Sequence, residues 1–491
     1  MAMNTYTAFN IGPIYTTFIM GRRPRELWAA SYMFSYLMKC IYDNVPKGSV
    51  LSPAEVPCAV LSQGVGLYPD RLFVRGAVDA GDIEKKAWQT FSTSLNIDGK
   101  TPLDRQYFNI MHVTVQADSD SVAVRMLNDA LNKLELMNFP KPGSLSEGVM
   151  KIVSDQKPLF RLVYGKDTHH IPSLGEIAAV SKEKENDETW SKFRNMLNND
   201  GTEENAYNEA FGSDYKSYHK YICIVKADGD SVGATVTHPD LPQGELERIS
   251  HELLDFGRLA SEKIKGFGGL PIYAGGDDLL FIAPVVGKDG TDIFRLLKEI
   301  SSECFKGVKS KIDSLNLTKD DGTPVKASMS YGLSISYYKY PLYEALELAD
   351  SLLNKAKGIP GKNAVAWILT KHSGSGFDAA FSNSDENLSK AFYALIDATQ
   401  DGNTVSAVAH KLRENDTLMT QVLKTREPAL RNDRLKALFD KILEDKGSSY
   451  HAAVREVMEC LYDYSPVGYE AMLYSVMRTA KFIKGEDPKD E

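Results

Sequence analysis

The chain has 491 residues, of which 57 are Lys or Arg and 66 are Asp or Glu, so its formal net charge at pH 7 is −9. This length predicts about three domains, and the 43% hydrophobic and 25% charged residues are typical of a folded protein rather than a disordered one. No uninterrupted apolar stretch approaches the roughly 18 residues of a membrane helix, and the amino-terminal residues lack a secretory-signal pattern. We therefore expect a cytoplasmic protein without membrane attachment, and its acidity argues against tight free-standing binding of nucleic acid.

The cysteines are few and widely spaced. They are Cys40, Cys58, Cys223, Cys304 and Cys460. Because no Cys-x-x-Cys pair occurs, a zinc ribbon is excluded and a disulfide framework is disfavoured.

The sequence pattern of residues 1–140 predicts one α+β domain. Strands are predicted from β-branched, aromatic or alternating runs at residues 8–20, 56–62, 71–75 and 108–115. Amphipathic helices are predicted at residues 25–42 and 120–136.

Three further regions follow along the chain. Residues 141–218 predict a helical connector, since residues 181–212 are dense in Lys, Glu, Asp and Asn. Residues 219–370 alternate as β-α-β-β-α-β with one more helix and strand, which is the ferredoxin-like plan. The strands of this region are predicted at 221–225, 270–274, 279–285, 327–338 and 364–369, and the helices at 243–264, 291–315 and 342–357. Residues 371–491 show only helical periodicities, so we expect a helical domain there.

Two acidic pairs lie at the ends of predicted strands. Asp228 and Asp230 end the first strand of the third region, and Asp277 and Asp278 follow Gly275-Gly276 at the tip of a hairpin. In this topology the strand and the hairpin are neighbours, so the four carboxylates converge, and crowded carboxylates are costly without a cation. Mg²⁺ prefers one or two carboxylates with phosphate oxygens, and Gly275 and Gly276 allow a nucleotide to approach the backbone. The alternative is an ordinary Gly-Gly turn with solvated acids.

Lys355 and Lys357 end the last predicted helix of this region. Lysines at a helix carboxyl terminus are favoured by the macrodipole alone. Beside the carboxylates, they also provide the countercharge that a nucleoside triphosphate needs.

These motifs together resemble one family, the large polymerase/cyclase subunit of type III CRISPR effector complexes, and most closely its type III-B branch. The resemblance covers most of residues 5–370. The motifs that carry it in the third region are Asp228-Gly229-Asp230, Ile249-Ser250-His251-Glu252-Leu253, Ile272 to Asp278, Ser328 to Gly332, and Ala349-x6-Ala356-Lys357. In the first domain they are Gly12-x5-Phe18-Ile19-x-Gly21-Arg22-Arg23-x2-Glu26-Leu27-Trp28-x2-Ser31.

The resemblance implies two palm domains and a synthase of cyclic oligoadenylates from ATP, activated by RNA. It implies two Mg²⁺ or Mn²⁺ ions per active site, and as partners the other subunits of the complex, its guide RNA and its target RNA. Carried over by position, Asp228 and Asp277 are the principal metal ligands, Asp278 is the second acid of the motif, and Asp230 is a nearby acid and further metal ligand. Lys357 would meet the triphosphate, Ser250 would lie near the adenine of the donor ATP, and Ser31 would hold the equivalent place in the first palm. The first palm reads Gly66-Leu67-Tyr68-Pro69-Asp70 where the second has Gly-Gly-Asp-Asp, so we expect a degenerate copy that binds the second nucleotide without metals of its own.

The chain departs from the family in two respects. Many members begin with an HD nuclease domain, whereas here a palm-like strand begins within ten residues of Met1 and no His-Asp dipeptide occurs, so we expect no cleavage of single-stranded DNA. Members often carry a cysteine zinc site between the palms, near a segment resembling residues 172–176. No cysteine lies between Cys58 and Cys223, so we expect packing in its place. His169 and His170 are better interpreted as a surface loop than as a chelate.

Three alternatives stay open at this point. The acceptor could be an adenosine compound other than ATP, such as S-adenosylmethionine, which would give a linear conjugate. Diguanylate cyclases share the palm plan, but their hairpins carry Asp-Glu-Phe or Glu-Glu-Phe where this chain has Asp277-Asp278-Leu279. A catalytically silent structural subunit of an RNA-guided complex is the third alternative, although intact acids count against it.

Overall fold

The hydrophobic runs form two separate sheets in the computed structural model. It describes residues 3–57, 63–96, 103–137, 147–183, 188–198, 203–212, 215–372, 374–399, 402–443 and 448–485. Within these ranges, no helix combines the length and the apolar character needed to cross a membrane. Cys58 and most of the strand predicted at 56–62 lie outside the described residues.

The first sheet is built from the amino-terminal domain. Its strands are β1 (Asn4–Gly12), β2 (Val50–Ser52), β3 (Arg71–Arg75) and β4 (Asn109–Ala117). Their spatial order is β2-β3-β1-β4 and every pair is antiparallel, which is the ferredoxin-like arrangement. The helices are α1 (Ile14–Phe18), α2 (Pro24–Tyr42), α3 (Ala80–Leu95) and α4 (Asp120–Leu136).

Two sequence predictions for this domain need correction. The first strand ends at Gly12, because Pro13 stops the ladder and residues 14–18 turn into α1. The prediction of one strand over 8–20 was therefore wrong in its second half. We did not predict α3, although its buried residues Ile83, Ala87 and Phe91 have helical spacing.

The connector is helical, as predicted. Its helices are α5 (Glu147–Asp155), α6 (Lys157–Tyr164), α7 (Leu174–Ala178), α8 (Glu188–Asn198) and α9 (Glu203–Phe211). Ser173 and Glu176 form a capping box on α7, and Glu176 also accepts a hydrogen bond of 2.7 Å from Arg194 Nε on α8. Phe193 and Tyr207 pack in a small aromatic core between α8 and α9. An acid–arginine contact and ring packing thus hold the segment for which the resemblance suggested a zinc site.

The second sheet has six strands in the order β10-β9-β8-β5-β7-β6. They are β5 (Tyr221–Asp230), β6 (Leu270–Gly275), β7 (Asp278–Pro284), β8 (Ser328–Tyr337), β9 (Ala364–Thr370) and β10 (Gly376–Ser382). Four of these strands, in the order β8-β5-β7-β6, are antiparallel to their neighbours and form a ferredoxin-like sheet. Strand β9 pairs with β8 in parallel. The helices are α10 (Val232–Val236), α11 (Glu245–Phe267), α12 (Ile293–Glu299), α13 (Lys306–Ser314) and α14 (Leu342–Lys357).

The helix predicted at 291–315 is interrupted. A π-helical turn over residues 300–304 separates α12 from α13. At the carboxyl end, the prediction of helices alone was wrong for Gly376–Ser382, which forms β10 and extends the second sheet beyond residue 370. The remaining helices are α15 (Glu386–Ala398), α16 (Gly402–Glu414), α17 (Asp416–Leu423), α18 (Pro428–Ile442), α19 (Ser449–Tyr464) and α20 (Tyr469–Gly485). The predicted α+β class with two ferredoxin-like sheets and a helical carboxyl-terminal region is confirmed.

The two sheet domains pack against each other reciprocally. Helix α2 of the first domain contacts β6 of the second, and α11 of the second contacts β2 of the first. A main-chain hydrogen bond of 3.0 Å from Ala274 N–H to the Gly66 carbonyl joins them directly. Gly257 lets α11 lie directly on β6 within the second domain, because a Cβ there would lie 2.7 Å from the Ala274 carbonyl oxygen. The order of elements therefore places the hairpin after β6 beside both domains.

Candidate active site

The strand order brings the end of β5 beside the hairpin that joins β6 to β7. Ala227 pairs with Leu279 across the ladder, and Gly229 N–H donates a hydrogen bond of 3.1 Å to the Asp277 carbonyl. Asp228 and Asp277 therefore lie at the same end of the sheet, which is the convergence predicted from topology. Asp278 begins β7 and pairs with Gly275.

Glycines make this close approach possible. A Cβ on Gly229 would lie 2.8 Å from Asp277 Cβ and 3.2 Å from its Oδ2, so any side chain there would displace the hairpin. Gly276 has a φ of +66°, a left-handed conformation that glycine adopts without strain. Gly275 is packed against the Tyr273 ring, where a Cβ would overlap the phenol. We did not identify Gly229 from the sequence, although its place between Asp228 and Asp230 was the available signal.

Two carboxyl groups at the hairpin, Asp277 and Asp278, have a raised pKa. Desolvation in the cleft raises the pKa of Asp277, and the charge of Asp228 raises it further while Lys357 lowers it. Desolvation and the charges of Asp277 and Asp228 also raise the pKa of Asp278. Because the side chain of Asp278 is exposed, we regard its two charged neighbours as the more important cause. Repulsion of this kind is relieved when a cation binds among the carboxylates.

Lys357 supplies a cation at this position. Its Nζ forms an ion pair with Asp228 Oδ1, and both side chains are about one-quarter exposed. Lys355 turns away and pairs instead with Asp378 on β10, at 2.9 Å. Gly332 on β8 lets α14 pack directly on the sheet, because a Cβ there would overlap the backbone of Ala349 and Leu353. Of the two lysines at the end of α14, Lys357 is thus the one that faces the carboxylates.

Asp230 has a different environment from Asp228. It is 2% exposed, and its carboxylate accepts hydrogen bonds from Ser328 Oγ at 2.7 Å, Ser330 Oγ at 2.8 Å and Asn363 N–H at 3.0 Å. Asn363 holds this position with a φ of +48°. Because donors already occupy the carboxylate, the expectation that Asp230 is a metal ligand does not fit, and its contacts instead fix the end of β5.

Ser31 and Ser250 lie on the helices of the palm–palm junction. Both are buried, Ser31 on α2 and Ser250 on α11. Ser250 Oγ donates to Ser52 Oγ of the first domain at 3.3 Å, and Ser31 Oγ would lie 3.0 Å from a Cβ on Gly66. Ser31 Oγ is buried with no hydrogen-bond partner among the described residues. The two serines therefore line the junction from opposite domains.

The first domain also contributes a carboxylate that we did not single out as a site residue. The charge of Asp70 raises the pKa of Tyr273, after desolvation, and adds to the shift of Asp278. Asp70 directly precedes β3, and its carbonyl accepts a hydrogen bond of 3.1 Å from Ile11 N–H. The available signal was that Asp70 is the single acid in the segment that replaces the Gly-Gly-Asp-Asp motif.

His169 and His170 have separate contacts. His169 stacks on the Tyr164 ring with 3.7 Å between centroids, and His170 Nε2 pairs with Glu176 at 3.1 Å. Over the described parts of the chain, no group of three or more His, Cys, Asp or Glu side chains is arranged to hold a metal ion unaided. The histidines are thus placed by ring stacking and an ion pair.

Comparison with known proteins gives a family match to the region of the chain that contains these carboxylates. Residues 221–366 match the family described as Cas10/Cmr2, second palm domain. The CRISPR system Cmr subunit Cmr2 of Pyrococcus furiosus is 34% identical over 182 residues, which cover 32% of this chain and 19% of that protein. The match thus spans only about a fifth of this relative's length.

Solved structures share the fold over most of the chain. A type III-B Cmr-beta complex in its apo state has a chain with a TM-score of 0.55 and 11% identity, covering 90% of this chain and 77% of that one. Csm1 of T. onnurineus has a TM-score of 0.53 and 12% identity, covering 99% and 70%. A Csm1–Csm4 cassette in complex with cA4 has a TM-score of 0.51 and 11% identity, covering 98% and 70%. Residues 221–366 of the chain therefore match the Cas10/Cmr2 second palm domain, and the chain as a whole shares its fold with these subunits of type III complexes.

Proposed function

We propose that the chain is the RNA-activated nucleotidyltransferase of a type III CRISPR complex and makes cyclic oligoadenylates from ATP. The observation that carries this proposal is the cluster of Asp228, Asp277 and Asp278 with Lys357 at one end of the second palm sheet. A silent structural palm would gain nothing from crowding these acids so closely that the pKa of Asp277 and of Asp278 is raised. The family match over residues 221–366 supports the same assignment.

The donor set suits divalent magnesium or manganese. Asp228 and Asp277 would hold the ions, with Asp278 at the outer side of the cleft, and substrate phosphates would complete the coordination, as Mg²⁺ prefers. When bound, two such ions supply Lewis-acid stabilisation of the attacking and leaving oxygens of a phosphoryl displacement. Asp230 takes no part in this set and would position Asp228 through its hydrogen bonds to β8 and Asn363.

Lys357 would change partner when ATP binds. Without nucleotide it neutralises Asp228. A triphosphate bound beside the hairpin would offer the Lys357 ammonium group several anionic oxygens. The divalent metal ions would then take the place of Lys357 beside Asp228. Gly275 and Gly276 leave the hairpin backbone open to the nucleotide.

The acceptor nucleotide would lie on the first palm. Ser31 and Ser250 would flank the two adenines from α2 and α11, and Asp70 would line the acceptor side. The Csm1–Csm4 cassettes that share this fold were solved in complex with AMPPNP, with pppApA and with cA4. These complexes support ATP as donor and acceptor in preference to an S-adenosylmethionine acceptor.

The partners would be those of the whole assembly. The Cmr-beta chain of similar fold was also solved in a complex bound to cognate target RNA. We infer that this chain joins other type III subunits in the cytoplasm and that a guide RNA and a captured target RNA control it.

The test is a double substitution at the hairpin. Asp277→Ala with Asp278→Ala is expected to reduce product by at least about 100-fold while complex assembly and RNA binding persist, because two-metal sites contribute several kcal/mol to transition-state stabilisation. Asp240→Ala with Asp255→Ala is the matched control, since both acids are exposed and the charge change is equal.

Mass spectrometry of products from the complex with ATP, Mg²⁺ and target RNA distinguishes the alternatives. Cyclic oligoadenylates support the proposal, and a linear adenosine conjugate formed only with S-adenosylmethionine would assign a different acceptor. If the complex consumed no ATP with guide and target RNA present, the chain would be a structural subunit.

A further inference from the structure

Tyr273 lies on the same face of the second sheet as the carboxylates. It pairs with Leu280 on β7, and Leu280 in turn pairs with Lys226 on β5. Alternate residues of a strand share a face. Asp228 follows Lys226 by two residues and Asp278 precedes Leu280 by two, so both acids lie on the face of Tyr273. Because β6 is the edge strand, Tyr273 stands at the border of the face that carries the candidate active site.

A β-bulge directs the Tyr273 side chain toward the hairpin. Pro271 pairs with Phe281 and Tyr273 pairs with Leu280, so β6 has one residue more than β7 between these two pairs. Bulges of this kind re-aim a side chain and are frequent beside active sites. The phenol ring lies against the first glycine of the hairpin, since a Cβ on Gly275 would lie 2.4 Å from the Tyr273 hydroxyl oxygen. The hydroxyl group is thus held at the hairpin that carries the paired acids.

The hydroxyl group of Tyr273 makes no hydrogen bond with any residue that the structure describes. Three buried tyrosines of the two sheets do have a partner for the hydroxyl group, namely Asp120 for Tyr6, Ser301 for Tyr331 and His372 for Tyr221. Tyrosine hydroxyl groups are normally hydrogen-bonded when they are buried. Tyr273 is half-buried, so a hydroxyl group without a protein partner at this position indicates that its partner is a ligand.

The hydroxyl group lies among carboxylates of both domains. Desolvation raises the pKa of Tyr273, and the charges of Asp70, Asp278 and Asp277 raise it further. The phenol therefore keeps its proton and is a hydrogen-bond donor. Asp70 belongs to the first domain, and an isolated β-bridge joins Tyr273 to Gly66 of the same domain. One neutral donor and several acceptors thus meet at the border between the two palms.

A ribose hydroxyl group matches these surroundings better than a phosphate group. A hydroxyl group both accepts and donates hydrogen bonds, so it can accept one from Tyr273 and donate one to Asp70. A phosphate group beside Asp70 and Asp278 would be repelled by their charges. Lys357, which could attract a phosphate group, is paired with Asp228 on β5. The chemistry around Tyr273 therefore selects a sugar hydroxyl group.

We propose, on the basis of the proposed function, that the Tyr273 hydroxyl group donates a hydrogen bond to the 2′-hydroxyl group of the acceptor nucleotide, which in turn donates one to Asp70. The 3′-hydroxyl group of the same ribose then faces the metal-binding carboxylates as the nucleophile, because the two hydroxyl groups are neighbours on the ring. Tyr273 is thus a positioning residue that selects ribonucleotides as acceptors. A site built to bond a hydroxyl group rejects the analogue without it, since the polar groups of the site are left unpaired.

The experiment measures the choice of acceptor with a nucleoside diphosphate, which lacks the pyrophosphate leaving group of a donor. The reconstituted complex with target RNA receives trace ATP labelled at the α-phosphate and an excess of ADP or 2′-deoxyADP, and the rate of labelled dinucleotide formation is measured. The unmodified chain is expected to use ADP at least roughly tenfold faster than 2′-deoxyADP. In Tyr273→Phe the rate with ADP should fall at least roughly tenfold, while the rate with 2′-deoxyADP stays within about twofold.

The matched control is Tyr331→Phe, which removes the hydroxyl group of another tyrosine of the same sheet. Because Tyr331 Oη is hydrogen-bonded to Ser301 Oγ at 2.7 Å, this variant should have a lower melting temperature and an unchanged preference for ADP over 2′-deoxyADP. Tyr273→Phe should behave in the opposite way, with a melting temperature within about 2 °C of the unmodified chain and a lost preference.

A second assay gives the same comparison without turnover. Equilibrium dialysis measures binding of α,β-methylene-ATP and of its 2′-deoxy analogue, neither of which can donate AMP, to the full chain. If the complex makes no product from ATP but Tyr273→Phe loses the preference for the ribose form in dialysis, the proposed function fails and the recognition of ribose by Tyr273 stands. Equal losses with both acceptors in Tyr273→Phe, an unchanged ratio of the two rates, or no preference for the ribose form by the unmodified chain would each overturn the proposal.

Discussion

Lys357 and Lys355 lie two residues apart at the end of one helix, yet they have different partners. Lys357 pairs with Asp228, and Lys355 pairs with Asp378 on a neighbouring strand. Lys357→Ala is expected to reduce the rate of ATP conversion at limiting ATP at least roughly tenfold, because an ammonium group that neutralises phosphate in a partly dry site contributes well over 1 kcal/mol. Lys355→Ala should change this rate less than twofold, since exposed ion pairs contribute little. Initial rates at several ATP concentrations provide the measurement, and equal losses in the two variants would contradict the assignment.

Gly229 offers a test that leaves every charged residue intact. In Gly229→Ala, the added methyl group would meet Asp277 Cβ at 2.8 Å, so the hairpin must move away from β5. We expect product formation to fall at least roughly tenfold, because misplacement of reacting groups by about 1 Å can cost 100-fold.

The matched control is Gly233→Ala on α10. A Cβ at Gly233 would meet nothing within 4 Å, so activity should stay unchanged in this variant. If Gly229→Ala retained full activity with a normal melting temperature, close contact between β5 and the hairpin would not be a requirement for catalysis.

At the scale of elements, α7 shows how one buried acid organises the connector. Burial raises the pKa of Glu176, but hydrogen bonds from His170 and Ser173 outweigh this effect and lower the pKa to about 2. Since the pKa in the folded chain lies below the ordinary value, the carboxylate stabilises the fold above about pH 4.5, and this contribution is lost as pH falls toward 2.

Glu176→Gln is therefore expected to destabilise α7 and α8 by about 2 kcal/mol at pH 7, allowing for partial access of solvent. Hydrogen-exchange protection factors for residues 174–198 provide the measurement. The difference between Glu176→Gln and the unmodified chain should shrink below pH 4.5. Glu183→Gln is the control, because its pair with Lys288 is half-exposed on both sides. A penalty that stays constant from pH 7 to pH 3.5 would contradict the role of the charged carboxylate.

The sequence predicted the elements whose patterns are local and strong. The apolar run of β5, the Gly-Gly-Asp-Asp hairpin and the periodicity of α11 were sufficient to place Asp228 beside Asp277. Strand β10 was missed because Gly376–Ser382 contains only two large apolar residues and becomes a strand through its pairing with β9. The ion pair of Lys357 and the hydrogen bonds of Asp230 could not be predicted from the sequence, since they depend on how closely α14 and β8 approach β5.

At the scale of the whole molecule, the proposed active site lies at a junction of two domains. We expect the purified chain alone to be a weak or inactive enzyme, because the reacting nucleotides must be held within about 3–3.5 Å by residues from both palms. Binding of partner subunits and target RNA would shift an existing equilibrium of palm arrangements toward the productive one.

This expectation is tested by comparing the chain with the reconstituted complex at equal concentration, each with and without target RNA. Product formation should be highest in the complex with target RNA and at least roughly tenfold lower in every other condition. Equal rates in all four conditions would show that the chain itself lacks the proposed control.

The hydrogen bond between Gly66 and Ala274 has a mechanical consequence. Ala274 lies three residues before Asp277, on the strand that leads into the hairpin, so the first domain is tethered to the backbone that aims this carboxylate. A small rotation of one domain against the other must therefore stretch this tether or tilt the hairpin. Binding of a ligand at a distant subunit, if it rotates one domain, would therefore change the orientation of the Asp277 carboxylate through the backbone alone.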